Sequence, residues 1–113
     1  MSRPACEPVN QVVLTAQLVE RASLRYTPAG LPALDVKLAH SGPTEHNGVL
    51  RTVSFELHAT ALGDTVTTLH RMEIGAAARF SGFLAKQRNG RGVMLHVRQI
   101  DGIDNVPVLS DSN

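Results

Sequence analysis

An all-β fold, a five-stranded barrel carrying one short helix, is what this sequence predicts. Three observations predict it. Polarity alternates with period two through most of the 113 residues. A helical period replaces it once, around residues 64–74. Gly, Pro and Asn collect between the alternating stretches, where turns require them.

Residues 11–20, QVVLTAQLVE, are β-branched and apolar and open the first strand. Residues 24–26 continue it after a short interruption. Thr27-Pro28-Ala29-Gly30 then places Pro and Gly as a tight turn prefers them. In the second strand, residues 33–40, Leu34, Val36 and Leu38 take one face and Asp35, Lys37 and Ala39 the other. Residues 41–50, SGPTEHNGVL, read as a long exposed loop. The third strand, residues 51–60, sets Val53, Phe55, Leu57 and Ala59 against Ser54, Glu56 and His58. Helical spacing of Val66, Leu69 and either Met72 or Glu73 follows, with Asp64 as N-cap, His70 and Arg71 near the C-terminal end, and Gly75 as the stop. The fourth strand spans 76–85, with Gly82 marking a bulge or bend. KQRNGRG, residues 86–92, carries the Asn-Gly hairpin signal before the last strand at 93–103. Five strands with a helix between the third and fourth match the Greek-key barrel called the OB-fold; another small β-barrel or sandwich is the alternative.

Composition narrows the function classes. Apolar residues make up 42% of the chain, enough for one core, and no apolar run approaches the roughly 18 residues of a membrane helix. Residues 9–104 form the expected domain, with 1–8 and 105–113 as flexible ends. The start carries Arg3, Pro4 and Glu7 rather than an apolar secretory signal, so a cytoplasmic location is expected. Cys6 is the only cysteine, which excludes an internal disulfide and a structural zinc site built on thiolates. The five histidines show no HxH or HxxxH spacing, and no GxxxxGK[ST] or GxSxG occurs. No catalytic residue, metal or cofactor is therefore expected.

Net charge, only +1, gives no reason to expect nucleic acid, but its distribution does. Residues 75–100 hold Arg79, Lys86, Arg88, Arg91 and Arg98 and no acid. Three of these lie on one Gly-bearing hairpin loop, where they can follow a phosphate backbone, although exposed hairpins also carry such residues for solubility. Arg25 at the end of the hairpin arm, Lys37 on the polar face of the second strand and Arg51 at the end of the long loop add to this set. Single-strand binders pair such a groove with stacking aromatics, each worth roughly 1–3 kcal/mol. Only Tyr26, Phe55, Phe80 and Phe83 are available. Phe55 and Phe80 have the parity of core residues, whereas Phe83 has that of Arg79 and Ser81 and is the best exposed candidate, with Tyr26 the other.

The stretches LRYTPAGLPALDVKLAH (24–40) and ARFSGFLAKQRNGRGVMLHVRQID (78–101) resemble the PriB family, the primosomal replication protein N family of bacteria. Pro28, Gly30 and Pro32, then Gly82-Phe83, the Lys86–Gly90 loop, and Leu95, His96, Gln99 and Ile100 stand in that family's order. The resemblance implies a small homodimeric OB-fold that binds single-stranded DNA when a stalled fork restarts. It also implies PriA helicase and other primosome proteins as partners, met at replication forks in the bacterial cytoplasm. Carried over by position, Lys86, Arg88 and Arg91 match a basic DNA-contacting loop, and Arg25 and Arg51 match basic positions on the arm and the third strand. The best-known members carry a DNA-contacting Trp in the third strand and a Phe before it. Ser54 and Val49 stand there instead, which implies weaker or more salt-sensitive binding with Arg51 carrying more of it. The rivals are a single-strand DNA-binding coating protein, whose hairpin RYTPAG also resembles but whose acidic tail tip SDSN does not match, and an OB-fold adaptor without DNA contact.

Overall fold

The structure, a computed structural model, describes residues 6–88 and 90–104. Of the expected flexible ends at 1–8 and 105–113, residues 1–5 and 105–113 lie outside these residues, as does Asn89 of the Asn-Gly signal. The order is β1 (Val12–Arg21), β2 (Arg25–Tyr26), β3 (Pro32–His46), β4 (Val49–Leu62), α1 (Asp64–Arg71), β5 (Ala77–Lys86) and β6 (Val93–Asp104). Strand neighbours run β1-β5-β6-β4-β3, and a β1–β3 ladder closes the ring into a five-strand barrel. Among the described residues only the β4–β6 pairing is parallel. This is the OB-fold barrel with its helix between the third and fourth barrel strands.

Closure depends on β1 serving two partners. It pairs with β5 through residues 12–17 and with β3 through residues 17–21, and a register shift between Leu18 and Glu20 bends it from one to the other. The interior is filled by Leu18, Leu34, Leu38, Phe80 and Leu95, and Leu69 and Met72 bring the helical segment onto the same core. Arg21 ties helix to barrel by donating to the carbonyls of Met72 at 2.6 Å and Leu69 at 3.4 Å, where the helix's last acceptors and negative dipole end lie. At Gly82 the ladder slips against β6, and a Cβ there would stand 1.9 Å from the His96 carbonyl oxygen. Glycine is what permits this approach.

Four expectations are corrected. Residues 41–50 are not a loop: β3 and β4 pair without interruption to His46 and Val49, around Asn47 (φ 55) and Gly48 (φ 79). Two consecutive positive φ values make a tight two-residue hairpin turn, and Asn-Gly supplies them at little cost. Pro43 is tolerated because the β1–β3 ladder has ended at Ala39, leaving Pro43 on an edge. Phe55 is not core but 42% exposed, since it lies on this arm, where no layer opposes it; its ring sits 5.3 Å from that of His40. Residues 24–26 do not continue the first strand: Arg25 and Tyr26 pair with Ala33 and Pro32. Asp64 is not the cap but the first helical residue; Gly63 (φ 70) turns the chain into the helix, and Asp64 sits in the first turn where an acid suits the dipole.

Candidate nucleic-acid interface

Alternation along β3 sends Leu34, Val36 and Leu38 into the core and turns Asp35 and Lys37 outward. Across the ladder Asp35 faces Thr60 of β4, and Lys37 faces His58. Two arginines converge on Asp35 from elements far apart in the chain. Arg25 of β2 reaches Oδ1 at 3.1 Å, and Arg88 of the β5–β6 loop reaches Oδ2 at 2.8 Å. Burial alone would push the Asp35 carboxyl up, but the Thr60 hydroxyl and the Arg25 and Arg88 guanidinium groups outweigh it and hold it below its ordinary value.

Lys37 stands between Glu20 at 3.8 Å and Glu56 at 3.7 Å. Lys86 closes β5 against Val93, and the Gln87 backbone N–H donates to the Gly92 carbonyl at 3.1 Å, so Arg88 and Arg91 both lie on one short connection. Lys86 and Arg91 are exposed and, among the described residues, carry no ion pair. Two adjoining recesses of about 250 and 200 Å³ run along this face and share Asp35, Val36 and His58. The first is bordered by Glu20 and Lys37, the second by Arg88 and Met94.

The wall continues past Thr60. Thr60 pairs with His96 and His96 with Phe83, so Asp35, Thr60, His96 and Phe83 form one row across four strands. Phe83 is half-buried there, stacked on His96 at 5.0 Å with the Arg98 guanidinium 4.9 Å from its centroid. Tyr26 is the more open ring, 66% exposed at the end of β2. Arg51 does not join the others. It sits exposed on the β3–β4 arm opposite Thr44, a register that gives it the face of His40 and Phe55 rather than that of Lys37. The structure thus brings Arg25, Lys37 and Arg88 together at one groove, leaves Lys86 and Arg91 on the adjoining β5–β6 hairpin, places Phe83 further along the same wall and sets Arg51 apart.

Sequence reasoning missed the acid that organises this face. Alternation does mark Asp35 as outward, but its partner Arg88 is 53 residues away, and no local signal links them. The Phe83–His96 stack was likewise hidden, because it depends on the β5–β6 register. Among the described residues no group of three or more His, Cys, Asp or Glu could hold a metal ion, and no helix is long and apolar enough to cross a membrane.

Residues 10–99 match a family model described as another single-strand binding protein family. The replication restart protein PriB of Nitrosomonas europaea is 37% identical over 90 residues, which cover 79% of this chain and 83% of that protein. The chain belongs to the PriB family. Among solved structures, PriB of Ralstonia solanacearum superposes with a TM-score of 0.75 at 33% identity, covering 82% of this chain and 96% of the other. The single-stranded DNA binding protein of Thermus aquaticus gives 0.64 at 31% identity, covering 82% of this chain and 49% of that one. Every candidate residue from Arg25 to Arg91 falls inside the matched span. In this PriB-family barrel the two positions at which the resemblance marks aromatics are open: Ser54 is exposed on β4, and Val49 is 58% exposed at the tip of the arm.

Proposed function

We propose that the protein is a non-catalytic accessory of replication restart that binds single-stranded DNA along the outer face of β3 and β4 and stimulates the PriA helicase at stalled forks. The observation that carries this reading is the convergence of Arg25, Lys37 and Arg88 on one groove of a PriB-family barrel, beside a hairpin that also carries Lys86 and Arg91. Lys86 and Arg91, free of acid partners among the described residues, make the first phosphate contacts, and Arg88, Arg25 and Lys37 extend them along the groove. Phe83 and Tyr26 offer the nearby rings, and Arg51, on the opposite face of the arm, is engaged only by a strand that crosses the arm. With so few open aromatics, affinity is led by charge and is sensitive to salt. Residues 9–104 are the DNA-binding unit, and two copies pair into a homodimer that other primosome proteins join in the cytoplasm.

The test is the triple substitution Lys86→Ala, Arg88→Ala and Arg91→Ala, with affinity for labelled oligo-dT read by fluorescence anisotropy. Binding weakens by about 10-fold or more while the thermal midpoint falls by no more than about a few degrees, the loss expected of the Arg88–Asp35 pair. Unchanged affinity places the site elsewhere. A second reading, an adaptor that meets only protein, is favoured by one observation: Arg25, Arg88 and Lys37 are already paired with acids of their own chain. Pull-down separates the two, since an adaptor holds the helicase equally with and without DNA.

A further inference from the structure

Asp35 differs from the other acids near the groove in holding two arginines at once, one on each oxygen. One anionic group bridging guanidiniums from two separate elements is also the contact a backbone phosphate makes with paired arginines. The arginine side chains remain 41% and 54% exposed, so a ligand can reach both without the barrel opening. A single anion entering here would merely exchange one acid for another and strand the Asp35 carboxylate beside it. A continuous strand can present successive phosphates to Arg25 and Arg88 while also engaging Lys86 and Arg91, and those additional contacts offset the release of Asp35.

We propose that Asp35 is an internal phosphate stand-in that positions Arg25 and Arg88 across the groove and makes their release selective for a polynucleotide backbone over isolated anions. This rests on the single-stranded DNA reading above and deepens it by naming the residue that sets its threshold.

The experiment compares wild type, Asp35→Asn, Asp35→Ser and a control, Asp101→Asn, by anisotropy with labelled oligo-dT across a salt series, fold being checked by thermal midpoint. The control also removes one carboxylate from an arginine, since Asp101 pairs with Arg79 at 2.9 Å, but it bridges no second one. Both Asp35 variants bind about tenfold more tightly than wild type at low salt. Their salt dependence is steeper by about one unit, because no freed carboxylate recaptures a cation. At constant ionic strength, inorganic phosphate competes with oligo-dT for these variants and leaves the wild-type complex intact. Wild type that binds, with Asp35 variants that bind no more tightly, overturns the proposal alone. An equal gain in the Asp101 variant overturns it as well, by reducing the effect to net charge, and so does phosphate competing equally against all. Absence of binding by wild type and variants together overturns the DNA reading and the proposal with it.

Discussion

At the scale of single residues, the Asp35 carboxylate has its protonation tied to the fold. Burial pushes its pKa up, and the Thr60 hydroxyl with two guanidinium groups pulls it further down, so the net direction is downward. A group lowered on folding contributes stability above its unfolded value, about 3.9 for an aspartate, and loses it as pH falls through the folded value. Urea midpoints of wild type and Asp35→Asn are therefore expected to differ at neutral pH, with wild type ahead by up to about 1 kcal/mol, as suits partly exposed pairs. The gap closes as pH falls through the lowered folded value, where Asp35 becomes protonated and no longer charged. A gap that stays constant from pH 7 to acid removes the ion pairs as its cause. Parity in the sequence identified Asp35 as outward, yet parity also sent Phe55 to the core. The alternation was read correctly in both cases. What parity lacks is the extent of the opposing layer, and Phe55 lies beyond it.

At the scale of elements, the β3–β4 arm behaves differently from the barrel. Residues 49–58 of β4 pair with β3 alone, because the β4–β6 ladder begins at Ala59. Changing Asn47 and Gly48 both to Ala forces side chains poorly suited to positive φ into the turn. Amide exchange in 41–54 should then speed up by at least about tenfold, with the barrel's unfolding midpoint held within about 0.5 kcal/mol. A matching loss of barrel stability would show the arm to be part of the cooperative unit. Most elements were legible in the sequence: the barrel strands, the helix with its Val66–Leu69 spacing, and the Gly82 irregularity all follow from period and turn chemistry. The arm was not, because Gly42 and Pro43 read as loop residues. Their tolerance in a strand depends on the absence of a second neighbour, which only the assembled sheet reveals.

For the whole molecule, net charge is a poor guide to the surface. The chain sums to +1, yet Arg25, Lys37 and Arg88 gather on one groove around Asp35, Glu20 and Glu56, with Lys86 and Arg91 on the adjoining hairpin. The basic block of residues 75–100 was legible from the sequence; its joining with Arg25 and Lys37 was not, because it is made by barrel closure and by one acid. With Trp absent and only Tyr26 and Phe55 substantially open among the aromatics, stacking contributes little to the proposed binding, and phosphate contacts dominate. Such binding has a direct signature, since each neutralised phosphate releases a counterion. Anisotropy of labelled oligo-dT with the wild-type protein, repeated from about 20 to 300 mM salt, tests this most directly. Affinity should fall linearly on logarithmic axes with a slope of about −2 to −4, the value for three to five phosphate contacts on a single strand. A slope near zero, or no binding at the lowest salt, contradicts the account.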